Sequence, residues 1–142
     1  MLGLSSKTAY AVAALFELDQ KSPEEATKIK EIATAANIPQ NFLEQILLAL
    51  KKAGVLTSTK GAHGGYKLSK PLTEITLTEI TLAEIIGILE DGYFDERCKT
   101  DNDALKLFWN DIRKHALEAF DIPLSELRRY RNQVNQTLDY TI

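Results

Sequence analysis

Residues 38–68 read IPQNFLEQILLALKKAGVLTSTKGAHGGYKL, and the fold turns on this stretch. Leu43, Ile46, Leu47 and Leu50 recur at the three- and four-residue spacing of one helical face, while Gln40, Asn41, Glu44, Gln45, Lys51 and Lys52 fall mostly on the other. One side is therefore expected to be buried and the other polar. Lys51 and Lys52 suit the negative end of a helix dipole, and Gly54 suits the left-handed backbone that ends a helix, so a stop is expected near Lys52. The next segment is short and β-like. Residues 55–59 and 66–68 flank a glycine-rich tip, Gly61-Ala62-His63-Gly64-Gly65, in the pattern of a hairpin. A helix with a polar outer face, followed at once by a basic hairpin, describes a winged helix.

Before this stretch, Asn37 tolerates the left-handed backbone of a tight turn, and Pro39 is acceptable where a helix starts because its missing N–H would be unpaired there. A short helix is expected over 27–36, with Ile29, Ile32, Ala33 and Ala36 inward. Short helix, tight turn and amphipathic helix make a helix-turn-helix. Residues 21–25, KSPEE, read as a surface loop. Ahead of them, a first helix capped by Ser5 or Ser6 is expected to run to about Gln20, with Tyr10, Ala11, Ala14, Leu15 and Leu18 along one stripe.

Beyond the hairpin, the pentapeptide TEITL occurs at residues 73–77 and again at 78–82. It lengthens a wing strand or a linker, and five residues do not make a solenoid. A helix with Leu82, Ile85, Ile86 and Leu89 on one face is expected to stop around Gly92. Residues 93–103 are polar and contain Cys98. A long helix follows over 102–120, with Leu105, Phe108, Trp109, Ile112, Ala116 and Phe120 on one side. Such a stripe either pairs with a second copy or closes the monomer's own core. His115, on its flank, has no second ligand at useful spacing. Residues 121–123 end this helix, and Ser125 is a candidate cap for a last short helix with Leu127, Tyr130 and Val134 on its apolar side. The organisation expected is a winged helix-turn-helix over 1–70, then a linker, a sensor-like loop and a helical dimerisation region over 71–142.

The chain has 142 residues, 44% of them hydrophobic, enough for a substantial core. Its longest apolar run falls far short of the roughly 20 residues of a membrane span, and its start lacks the plan of a signal peptide. A soluble, cytoplasmic protein with no membrane partner is expected. Cys98 is the only cysteine, which excludes an intramolecular disulfide and fits a reducing compartment. Net charge is −3 but unevenly spread: residues 1–70 carry nine lysines against six acids, and residues 71–142 carry eight basic residues against fourteen acids. A net +3 half joined to a −6 half turns one face toward polyanions. No H-E-x-x-H, dinucleotide fingerprint or nucleophile–base pair is present. The glycine-rich tip is not a phosphate loop either, because no Gly-Lys-Ser/Thr follows it. Its glycines suit turn geometry and close approach to DNA, and His63 reads as a solvent-exposed loop residue. A non-enzymatic protein is expected.

Ser6-Lys7 with Tyr10-Ala11, Ile32-Ala33, Phe42-Leu43-Glu44-Gln45-Ile46, residues 50–55 (LKKAGV), Ser58-Thr59-Lys60-Gly61 and Gly64-Gly65-Tyr66-Lys67-Leu68 together resemble the Rrf-type winged helix-turn-helix bacterial transcriptional regulators, the IscR-, NsrR- and CymR-like proteins. The resemblance covers essentially the whole chain. It implies a mainly α fold with a small β-hairpin wing and a long dimerisation helix, acting as a homodimer on a palindromic operator in double-stranded DNA. Asn41, Glu44 and Gln45 match positions where that family's recognition helix faces base edges; amides can read adenine and a carboxylate can accept from cytosine. Lys51, Lys52, Lys60, Gly61, Gly64, Gly65 and Tyr66 complete the implied DNA-binding set. Lys60 stands where the family usually has an arginine; it reaches phosphates or the minor groove without a bidentate fork.

Cluster-binding members of that family hold iron with three cysteines in the loop before the long helix, helped by a histidine just inside it or by a residue of the partner's first helix. Only Cys98 matches here. Lys106 stands near the histidine's place, and Lys7 and Thr8 offer no carboxylate. Iron-sulfur clusters require several thiolates or imidazoles. The expectation is therefore DNA binding with no cofactor, Cys98 being an inert remnant or a thiol whose oxidation tunes binding. The alternatives are a redox- or iron-sulfur-responsive regulator whose subunits share a cluster with help from Asp95, Glu96 or Asp101, and a helical protein–protein adaptor using the polar helix face and the wing. A small-molecule or protein effector is left open.

Overall fold

The computed structural model describes residues 2–21, 24–69, 80–95 and 99–141, with side chains as far as residue 138. Helices α1 (Ser6–Asp19), α2 (Ile29–Ala36) and α3 (Gln40–Lys52) are followed by strands β1 (Leu56–Thr59) and β2 (Gly65–Leu68). Helices α4 (Leu82–Leu89) and α5 (Asp103–Phe120) come next, then a 3-10 turn (Leu124–Glu126) and α6 (Leu127–Thr141). The fold is mainly helical with one antiparallel hairpin, in which Leu56 faces Leu68 and Thr59 faces Gly65.

Each helix of the first half buries the stripe that its periodicity marks. Ala11, Ala14, Leu15 and Leu18 of α1 meet Ile32 and Ala33 of α2 and Leu43, Ile46, Leu47 and Leu50 of α3. The small side chains of Ala11 and Ala14 let neighbouring helices approach closely. This core extends past the hairpin to Ile80, Ile85 and Leu124. Leu124 gets there because residues 122–124 return antiparallel to the start of α4: Leu82 N–H donates to the Ile122 carbonyl and Leu124 N–H to that of Ile80, each at 2.8 Å. Thr81 caps α4 by accepting from the Glu84 N–H at 3.2 Å. Of the second TEITL copy, then, Ile80 fills core and Thr81 starts a helix; residues 73–79 lie outside the described residues.

Three expectations are corrected, and one of the two readings left open for α5 is excluded. Helix α2 begins at Ile29, not at 27, because Thr27 acts as a strand residue, exchanging two backbone hydrogen bonds of 2.8 Å with Tyr66. Ser5 stands at the α1 N-cap, yet its hydroxyl does not cap: its N–H and Oγ both donate to Glu90 Oε1 at 2.7 Å. Ser125 lies inside the 3-10 turn, and the helix after it is fifteen residues long, not short. The stripe of α5 does not close the monomer's core. No residue of α5 is buried, and Leu105, Phe108, Trp109 and Ile112 are each about half exposed in the single chain.

Helix α5 is anchored at its far end, where the Phe120 ring meets the edges of Tyr93 and Phe94 at 6.0 and 6.2 Å. Arg113 donates to the Phe94 carbonyl, tying the middle of α5 to the same loop. Helix α6 folds back on α1. Arg128 forms a two-pronged pair with Asp19 at 2.6 and 2.7 Å, and the Arg131 guanidinium lies 5.3 Å from the Phe16 ring centre.

Candidate nucleic-acid interface

Two backbone motifs set the attitude of α3. At the turn before it, Asn37 takes φ 54 and ψ 50; the Ile38 N–H reaches the Ala33 carbonyl and the Asn37 N–H that of Thr34. This left-handed cap closes the last turn of α2 while Ile38 is driven into the core. The same motif ends α3: Gly54 has φ 82, the Val55 N–H reaches the Leu50 carbonyl and the Gly54 N–H that of Lys51. Val55 is buried beyond it and turns the chain into β1. Both ends of α3 are thus fixed by local chemistry.

Asn41, Glu44, Gln45, Lys51 and Lys52 all project into solvent. At the start of α3, Pro39 gives no side-chain cap and the first turn holds no acidic residue. Free N–H groups at the positive end of a helix dipole suit an anion such as phosphate. The exposed face offers amides, one carboxylate and cations; phosphate and base edges are the polymer chemistry that such a set engages.

In the wing, Lys60, Gly61 and His63 are exposed at the tip. Lys67 stands opposite Thr57, and strand alternation puts it on the face away from the core. Tyr66 packs against the core instead, and its backbone pairs with Thr27. The glycines divide by role. A Cβ on Gly64 would stand 2.5 Å from the Thr59 carbonyl oxygen. One on Gly65, at φ 144, would stand 2.3 Å from that of Thr27. Gly61 has φ 103 and open space around it. Gly64 and Gly65 therefore let backbones meet inside the wing. Glu24, Glu25, Lys28, Glu31 and His63 line a surface depression beside it, so the wing tip is less positive than Lys60 and Lys67 alone imply.

Sequence reasoning missed three features. Thr27 serves as a third strand position of the wing, a role that its β-branched side chain permits but does not announce. Phe42 and Leu48 are both half exposed on α3; for Leu48 the signal was there to read, since it lies three and four residues from Gln45 and Glu44. The third is Glu90, whose carboxylate also accepts from Thr8 Oγ1 at 2.8 Å. The Ser5 hydroxyl is the largest cause holding its pKa below the usual carboxylate value, with burial opposing. Through Glu90, and through the Tyr93 hydroxyl on the Leu2 carbonyl at 3.1 Å, the segment after α4 grips the start of α1.

A family profile named Rrf2 and described as an iron-dependent transcriptional regulator matches residues 4–122. The chain belongs to the Rrf2 family. This Rrf2 chain is 33% identical to the HTH-type transcriptional regulator CymR of Bacillus subtilis, over 89% of its own length and 90% of that protein's. The solved structure of that CymR, the global cysteine regulator of B. subtilis, superposes with a TM-score of 0.74, covering 92% of this chain and 98% of that one. T. potens IscR gives 0.73 at 31% identity, covering 94% and 92%. A 41% identical rrf2-like HTH-type regulator of Rhodobacter capsulatus is matched over only about half its length, 52%. The protein is a DNA-binding transcriptional regulator with a winged-helix fold.

The iron in the family's description tests this Rrf2 regulator's donors. Among the described residues, no group of three or more His, Cys, Asp or Glu is placed to hold a metal ion. His115 Nδ1 lies 2.8 Å from the Asp111 carbonyl of its own helix, and His63 sits at the wing tip. Cys98 and Glu96 lie outside the described residues. Among those residues, no helix is long and apolar enough to cross a membrane.

Proposed function

We propose that this Rrf2 regulator is a cytoplasmic homodimer that sets one copy of α3 into each of two successive major grooves, about 34 Å apart, on a palindromic operator. The observation that carries the dimer is the uncovered stripe of α5. Four large apolar side chains, including the Phe108–Trp109 edge-to-face pair at 5.1 Å, face water along a helix about 27 Å long. A second copy covers that stripe. Residues 1–70 supply the DNA-contacting surface and residues 71–142 the contact between copies.

Within the DNA-contacting surface, Asn41 and Gln45 read adenine edges, Glu44 accepts from a cytosine amino group, and Lys51, Lys52 and Lys60 meet phosphates. Gly61, Gly64, Gly65 and Tyr66 shape the wing that presents Lys60. Sedimentation velocity at micromolar concentration should give a dimer, and binding to a duplex should weaken steeply between roughly 50 and 200 mM salt. A monomer, or retention of DNA that ignores salt, removes the proposal.

The donor set does not fit a conventional iron-sulfur cluster, because one cysteine per chain cannot supply its thiolates. We infer that DNA is bound without a stable cluster. Anaerobically purified protein should be colourless and free of iron and sulfide; a brown, iron-containing protein that loses its colour in Cys98→Ser overturns this.

A further inference from the structure

An α-helix advances about 100° per residue, so Asn41, Gln45, Leu48 and Lys52 of α3 share one outward line, opposite the buried Leu43, Ile46, Leu47 and Leu50. Leu48 occupies the middle of that line and is 49% exposed. An exposed leucine is ordinary on a protein surface. Its surroundings here are not: Glu44 and Gln45 stand one turn before it, Lys51 and Lys52 one turn after, and all four are exposed. Whatever these polar side chains engage must also lie over Leu48. Phe42, equally exposed, lies about a quarter-turn from Asn41, off this line.

We propose that Leu48 is a specificity determinant that reads the C5-methyl group of a thymine, a proposal resting on the reading of α3 as the helix that enters the major groove. In that groove the thymine methyl is the one apolar substituent that projects from a base, cytosine offering only a C5–H at the same place. An amino or carbonyl group set against Leu48 would give up its water and gain no partner, so the side chain penalises the other bases at the same step at which it favours thymine. Polar neighbours on both sides fix the register in which this contact is made. The operator therefore carries a thymine at one position of each half-site, next to the bases read by Glu44 and Gln45.

The test begins by finding the operator. Full-length wild type selects duplexes from a random-sequence pool, and each symmetric pair of thymines in the best-bound duplex is then replaced by deoxyuridine, which removes only the methyl. One pair should weaken wild-type binding about fifteenfold, which is about fourfold per half-site from the ~0.8 kcal/mol of one buried methyl-sized group. Leu48→Ala, whose circular dichroism and sedimentation should match wild type because the side chain is exposed, should bind the thymine and uracil duplexes equally. If wild type selects a sequence yet tolerates uracil at every position, or if Leu48→Ala suffers the same loss, the proposal for Leu48 fails while DNA recognition by α3 stands. If wild type retains no duplex at all, both fail.

Discussion

Replacing Gly65 with alanine should unseat the wing while leaving the helical core folded. The added Cβ would lie 2.3 Å from the Thr27 oxygen, 2.5 Å from the Thr27 carbonyl carbon and 2.8 Å from the Lys28 nitrogen, all backbone atoms that no rotamer change can move aside. Relief requires β2 to leave Thr27 and give up the two 2.8 Å hydrogen bonds exchanged with Tyr66. Each is worth about 0.5–1.5 kcal/mol net, and a side chain at φ 144 adds backbone strain of about 1–2 kcal/mol. The sum is about 2–5 kcal/mol. Gly61→Ala is the matched control, because φ 103 carries the strain alone with nothing within 4 Å of the new atom. Urea unfolding followed by circular dichroism gives the two losses, and amide exchange at Thr27 and Tyr66 reports whether the wing has detached. DNA affinity should fall further in Gly65→Ala, since Lys60 loses its mount. Equal unfolding midpoints for the two variants, with the Thr27 and Tyr66 amides still protected, would refute the steric reasoning.

Three further outcomes are expected. Glu44→Ala should relax preference at one symmetric base position by about 1–3 kcal/mol; uniformly tighter binding to all sequences would make Glu44 a bystander. Glu90→Gln should cost about 1 kcal/mol at neutral pH, discounted for solvent at this surface site. Because the folded pKa of Glu90 is lowered, its contribution is present above the unfolded value of about 4.3 and is lost as pH falls through the folded value. The gap between wild type and Glu90→Gln in thermal melts should therefore close on acidification, and a gap independent of pH contradicts the assignment. Arg128→Ala leaves the Asp19 carboxylate, only 3% exposed, without its two-pronged partner, and should cost about 2 kcal/mol. Adding Asp19→Asn should recover part of that loss, whereas strict additivity would mean that the pair is not coupled.

Much of the first half was legible from residue order because its signals are local. The stripe of α3, the left-handed Asn37 and Gly54 and the turn glycines Gly61 and Gly64 each depend on neighbours within about one helical turn or one strand, whereas Gly65 is demanded by the distant Thr27 backbone. Periodicity places Asn41, Glu44, Gln45, Lys51 and Lys52 on the outward side of α3, where the structure exposes them; the exposure of Leu48 on that side is evident only in the structure.

Contacts between distant parts of the chain were not legible. Thr27 reads as helix by position and becomes strand because Tyr66 offers it two hydrogen bonds. Ser5 reads as a cap and instead donates to a carboxylate 85 residues away, while Asp19 finds Arg128 at a separation of 109. Periodicity shows which face of a helix is apolar but not what covers it. The sequence alone thus determined that α3 has one buried and one polar face and that α5 carries an apolar stripe. Only tertiary packing decided that the first stripe is covered from within the chain and the second is not, because burial depends on which elements the fold brings alongside.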